Sequence, residues 1–224
     1  MLALQYSHPQ VTIHVPGDYP TIQEAIDSAS NGDIVLVAEG TYYENIDYNG
    51  KAITVASHFF VDGNEDHIEN TIIDGSQPSN PVIASVVAFK LGEDTTSVLC
   101  GFTITGGEGA LAYGFRMGGG IFIDQASPKI LNNIIENNNI NTSFGAEGGG
   151  ISASVFLSPL IIKDNIIRNN LAKSSATTAY GGGISLYSLV YLDTGLVIIE
   201  NNLIENNVVS SPTFNNGGGI AVYG

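Results

Sequence analysis

One phrase sets the rhythm of hydrophobic and polar positions through the C-terminal half of this chain: three glycines followed by an isoleucine. "GGGI" stands at residues 118–121, 148–151, 181–184 and 217–220. Each of the first three copies is followed by a partner that mixes isoleucines with polar pairs, "ILNNIIENN" at 130–138, "IKDNIIRNN" at 162–170 and "IENNLIENN" at 199–207. Self-similarity of this kind marks a repeat architecture, in which each unit buries its apolar face against the next.

The spacing says where the units bend. From Asn138 to Gly148, Asn170 to Gly181 and Asn207 to Gly217 the separations are 10, 11 and 10 positions. A degenerate earlier copy, "LCGFTITGG" at 99–107, precedes Gly118 by 11. The other connection, from the isoleucine of "GGGI" to the first isoleucine of the partner, runs 9, 11 and 15 positions. One corner therefore has a nearly constant length, and the other absorbs the variation, as expected when loops leave a solenoid at one edge.

Roughly three short strands per unit, with neighbouring coils about 4.8 Å apart, predict an all-β fold, a parallel β-helix. Aligned positions then become stacks. Ile121, Ile151, Ile184 and Ile220 form one inward column, Ile130, Ile162 and Ile199 a second, and Ile135, Ile167 and Ile204 a third. The columns Asn133, Asn165, Asn202 and Asn138, Asn170, Asn207 are expected to be asparagine ladders, with amides bonding along the stack. The glycine triplet marks a bend where side chains would clash or φ must be positive.

Upstream, residues 11–15 ("VTIHV") read as a strand and 21–30 as a short amphipathic helix. Thr21 and Glu24 have capping-box spacing, while Ile22, Ala25, Ile26 and Ala29 share one helical face. It is the one helix this reading predicts, and it caps the stack. Strands are expected at 33–38, 51–57, 70–75 and 85–91, separated by Gly, Asn, Asp or Pro. Few separators have the form of a two-residue hairpin turn, which favours strands wound in one sense. Residues 1–10 read as a leader remnant or a disordered tail, and 11–224 as a single β-helix domain. Within that domain, 11–97 form the cap and first coils and 98–224 the repeat coils.

Composition narrows the partners. Twenty-two acidic residues against seven basic ones give a formal charge of −15, which repels nucleic acid and anionic membrane surfaces. The same surface is able to collect Ca²⁺, although its ordinary role is solubility. Cys100 is the only cysteine, so no intramolecular disulfide forms, and "SVLCGFTI" makes it a buried small hydrophobe. No run reaches the ~18 apolar residues of a membrane span. The first ten residues lack the basic and long apolar regions of a complete signal peptide.

With the repeats in place, the chain resembles the right-handed parallel β-helix, or pectin-lyase-like, superfamily. The head "YPTIQEAIDSASNGDIVLVAEGTYYENI" is similar to the N-terminal cap and first coil of many secreted members, pectin esterases among them. The "GGGI" and "NNxI" repeats resemble those of bacterial secreted and surface β-helix proteins, adhesins included. The resemblance implies the fold, a secreted or cell-surface location and a glycan partner. It does not imply one activity, because this architecture hosts lyases, hydrolases, esterases, adhesins and inert shafts.

An enzyme reading needs chemistry in the right columns. A lyase requires a cation beside a uronate and a base for the α proton. The repeats offer Arg116, Lys129, Lys163 and Arg168, yet Arg168 aligns with Glu136 and Glu205, and Lys163 with Leu131 and Glu200. Opposite charges stacked between neighbouring strands are the usual dress of an exposed sheet face. Asp124 is a candidate carboxylate for a hydrolase, and Asp164 reads as a variant of the Asn132 and Asn201 column. All four histidines lie in the N-terminal third. For sugar stacking, the aromatics near the variable edge are Phe122, Phe156, Tyr187, Tyr191 and Tyr223.

The expectation is thus a secreted or cell-surface β-helix module without catalysis, acting as a shaft or as an adhesive or carbohydrate-binding surface, with no resident metal or cofactor. The alternative is a polysaccharide lyase or hydrolase working on an acidic polysaccharide such as pectin from the edge loops at 152–160 and 185–195. Repetition of the glycine corner argues against a site there and points to the variable edge downstream. Because the sequence stops as a fourth repeat opens, the C-terminal coil is expected to stack on further coils of a longer protein or on another copy.

Overall fold

The computed structural model describes residues 9–154, 159–187 and 196–223. Parallel strands stack coil upon coil, in the arrangement of an all-β parallel β-helix. One sheet of seven strands runs from Thr12–Val15 through Ile34–Val37, Thr54–Ser57, Val98–Cys100, Lys129–Leu131 and Leu160–Lys163 to Val197–Glu200. Its neighbours lie one coil apart in sequence, and beyond the first pair other strands always intervene between them.

A repeat coil holds five short strands rather than three: Ile121–Asp124, Lys129–Leu131, Ile134–Glu136, Asn139–Thr142 and Gly145–Glu147. We number the five sheets in that order. The extra corners lie inside the asparagine pairs. Asn132, Asn137, Asp164, Asn169, Asn201 and Asn206 all take φ between 53° and 57°. Asn and Asp tolerate this left-handed conformation better than other residues with a side chain, so the first member of each pair breaks the strand. The second member turns inward and bonds. A segment such as 130–138 is therefore two strands joined by a bend.

The predicted columns are in register. Ile121, Ile151, Ile184 and Ile220 pair in series, as do Ile130, Ile162 and Ile199, and Ile135, Ile167 and Ile204. All but the last of each column are fully buried in one continuous core. Such burial stabilises by about 1.5–3 kcal/mol per isoleucine. Both asparagine ladders form. Asn133 Nδ2 donates to Asn165 Oδ1 and Asn165 Nδ2 to Asn202 Oδ1, at 3.1 and 2.9 Å. Each Oδ1 also accepts the backbone N–H of the asparagine one coil earlier.

The glycine corner turns because of its first residue and packs because of the other two. Gly118, Gly148, Gly181 and Gly217 have φ from 56° to 65°. A Cβ on Gly119 would lie 2.2 Å from Gly149 O, and one on Gly149 2.5 Å from Gly182 O. Backbone stacks directly on backbone there, leaving no room for a side chain.

At the N-terminal end, the helix Ile22–Ser28 buries Ile22, Ala25 and Ile26 over the core. Thr21 Oγ1 accepts from Glu24 N, and the Glu44 carboxylate accepts from Ile22 N and Gln23 N at 2.9 Å each. Lys51 Nζ donates to the carbonyls of Ile26, Asp27 and Ala29, a cation at the helix C-terminus where the helix dipole favours one. Two further short helices, Phe59–Asp62 and Asp66–Asn70, break the expectation of a single one. They carry no buried residue, so no apolar stripe announced them.

The winding also has one exception. Gly109–Ala112 runs antiparallel to Phe115–Met117 and to Ile83–Ala84. Tyr113 and Gly114, at φ 52° and 81°, make the two-residue turn whose positive angles suit the twist of a hairpin. Cys100 is buried, as its apolar setting implied, and burial pushes its thiol up to about 11. No helix among the described residues is long and apolar enough to cross a membrane.

Candidate functional site: an aromatic groove beside the glycine corner

Strands of the fifth sheet enter the glycine corner and strands of the first sheet leave it. Phe115–Met117, Gly145–Glu147 and Thr178–Tyr180 lead in; Ile121–Asp124, Ile151–Ser154, Ile184–Tyr187 and Ile220–Tyr223 lead out. Alternation along a strand sends Ile121 and Ile123 into the main core, while Phe122 joins a separate cluster with Ala110 and Met117. Two columns therefore face away from the core near this corner. One is Met117, Glu147, Tyr180 and Asn216, and the other Asp124, Ser154, Tyr187 and Tyr223.

Between these columns opens a groove of about 540 Å³. Its walls are the rings of Tyr113, Phe115, Tyr180, Tyr187 and Tyr223, with Met117, Glu147 and Ser154 between them. Tyr180 stacks on Tyr223 with centroids 4.5 Å apart and planes at 23°. Tyr187 meets the same Tyr223 ring at 5.5 Å and 48°, so the two make an open V. Among the described residues no lysine or arginine lines the groove.

Its polar groups are few and poorly partnered. Glu147 is 4% exposed, and burial raises its carboxyl above the usual range, an effect partly opposed by the Tyr223 hydroxyl beside it. Burial first, and then the nearby Glu147 charge, pushes the Tyr223 phenol up. Even so, no hydrogen bond of standard geometry reaches the Tyr223 hydroxyl, nor the Oγ of buried Ser185 next to it. At the other end Tyr113 donates to Asp124 Oδ2 at 2.9 Å, which leaves Asp124 Oδ1 buried without a partner. Buried polar atoms are ordinarily satisfied, so unpaired ones gathered at one concavity mark it as a functional candidate.

The residues singled out from the sequence divide. Tyr187 and Tyr223 line the groove, and Asp124 is tied to it through Tyr113. Phe122 is 6% exposed, packs against its cluster and lines a second, smaller pocket instead. Phe156 and Tyr191 lie outside the described residues, as does much of the loops 152–160 and 185–195. Lys163 and Arg168 stand on the second and third sheets, away from the groove walls. Arg168 Nε donates to Glu136 Oε2 at 2.6 Å, and Lys163 Nζ lies 3.4 Å from Glu200. These are the stacked charge pairs that the columns implied. Among the described residues no three His, Cys, Asp or Glu side chains gather so as to hold a metal ion.

Sequence reasoning missed Tyr113, Phe115, Glu147 and Tyr180. The concavity adjoins the constant glycine bend and reaches the start of the variable connection, where Ser154 and Tyr187 stand. A signal was present. The residue just ahead of the triplet changes from Met117 to Glu147 to Tyr180 to Asn216 while the corner after it stays constant. No family model matches this chain, and no curated protein matches its sequence.

Proposed function

We propose that this is a non-catalytic β-helix module, secreted or displayed at a cell surface, whose groove beside the glycine corner binds a carbohydrate. One observation carries the reading: tyrosines from successive coils, Tyr180, Tyr187 and Tyr223, meet as an open aromatic wall. Sugar rings present apolar C–H faces that pack on aromatic rings while their hydroxyls bond to nearby polar atoms. The Tyr223 hydroxyl at the groove wall offers such an atom. The parallel coils and the resemblance of the N-terminal cap support kinship with the pectin-lyase-like superfamily. The groove lacks the cation that a lyase acting on uronates requires.

A glycan array followed by calorimetry on the hits tests the proposal. Binding should be lost on Tyr187→Ala and Tyr180→Ala and kept on Lys163→Ala. An array with no hit, or hits untouched by either tyrosine change, overturns it. One observation favours a hydrolase instead: the buried Glu147 carboxyl, raised and opening into the groove, has the character of a general acid. Release of reducing ends by the purified protein, abolished in Glu147→Gln, would replace binding by hydrolysis.

A further inference from the structure

Among the described residues that line it, the groove combines aromatic faces with a single buried carboxylate and no positive group. Glu147 is 4% exposed at its wall, with the Tyr223 hydroxyl beside it. Among the described residues that line the groove, no cation offsets this largely desolvated carboxylate. Two further features act in the same direction. Aromatic faces carry negative potential, and Tyr187 and Tyr223 form an open V at 48°. Asp124, bonded to the groove residue Tyr113, adds a second carboxylate with one buried unpaired oxygen.

We propose that the ligand is cationic: a glycan of amino sugars with free, protonated amines, its ring against Tyr180 and Tyr187 and its ammonium on Glu147. This rests on the carbohydrate reading above and specifies its chemical class. A primary ammonium is preferred to a quaternary one because it donates N–H bonds, which a carboxylate accepts. The groove's volume of about 540 Å³ exceeds what an ammonium group alone would fill and accommodates a sugar ring with its substituents. An acidic glycan is the opposite case, since its carboxylate would meet Glu147 with no cation between them. Charge complementarity thus separates the amino-sugar class from the uronate class.

The probes are a fully deacetylated glucosamine tetramer and its N-acetylated counterpart, which has the same rings but no charge. Each is titrated into the full chain at pH 6 in ~0.15 M salt. The deacetylated tetramer should bind about tenfold more tightly or better, the difference expected of a partly desolvated ammonium with a carboxylate and aromatic faces. Glu147→Gln should remove that preference and leave the two tetramers equal. Glu200→Gln, which removes the same charge from an exposed sheet face, should leave it intact and so excludes general attraction to an acidic protein. Equal or tighter binding of the acetylated tetramer overturns the inference but spares the carbohydrate reading, as does a preference that survives Glu147→Gln. Binding of neither tetramer overturns the inference, and the array then decides the broader reading. Near-ultraviolet circular dichroism on Glu147→Gln verifies that its aromatic wall is still packed.

Discussion

Asn138 Nδ2 donates to Asn170 Oδ1 at 3.0 Å, one coil away, and both side chains are completely buried. Asn170 in turn donates to Ile135 O and to Asn207 Oδ1 and accepts the backbone N–H of Asn138. Replacing it by alanine would take hydrogen-bond partners from groups on both flanking coils. A buried polar group left unpaired costs about 1–3 kcal/mol, so Asn170→Ala should destabilise by about 3 kcal/mol or more. Asn170→Asp should do no better, because the lost amide donates both bonds. Urea unfolding measures this, and a loss under ~1 kcal/mol would contradict the ladder's role.

At the glycine corner the constraint is space. A Cβ on Gly149 would stand 2.5 Å from Gly182 O and 2.7 Å from the carbonyl carbon of Leu171, all of it backbone that cannot swing aside. Gly149→Ala should therefore cost well over the ~1 kcal/mol by which glycine to alanine ordinarily changes stability. Gly114 is a control: nothing lies within 4 Å of its Cβ, and only its φ of 81° opposes a side chain. Comparing the urea midpoints of Gly149→Ala and Gly114→Asn, which tolerates that angle, checks the distinction.

Glu147 makes stability depend on pH. Burial raises its carboxyl, so the folded protein binds this proton more tightly than the unfolded chain does. The sign follows: the group's contribution is most favourable below the ordinary glutamate value of 4.5 and declines as pH rises through the raised one. Glu147→Gln should have the higher Tm at pH 7, with the two proteins converging near pH 4. A variant less stable than the parent at pH 7 would show that the charge is held by a partner in the folded state.

For the surface pairs the expected effects are small. Arg168 and Glu136 are half-exposed, as are Lys163 and Glu200. Pairs in such settings contribute about 0–1 kcal/mol. Arg168→Ala should lower stability by less than ~1 kcal/mol, Lys163→Ala should have no measurable effect, and neither should alter ligand binding. A glycan titration with each variant checks this, and loss of binding in either would return that sheet face to consideration.

Legibility in the sequence followed the range of the interactions involved. Ile121, Ile151 and Ile184 could be aligned by inspection because a stacked coil reuses the same position for the same task. The asparagine pairs were visible for the same reason, although their division of labour was not. That Asn132 takes a left-handed φ of 53° while Asn133 bonds inward emerges only from the backbone path, and with it the count of five strands per coil. The hairpin at 109–117 went unread because a Tyr-Gly turn lacks the usual Asn-Gly signature.

The sequence by itself determined the repeat, the inward columns and the charge pairs, since each depends on one position recurring along the chain. The groove was decided by tertiary structure alone. Glu147, Tyr187 and Tyr223 are distant in sequence, and they converge because a glycine corner folds two sheets toward each other and alternation turns one column of each away from the core. Periodicity reports which residues share a column; only the angle between sheets determines which columns face one another.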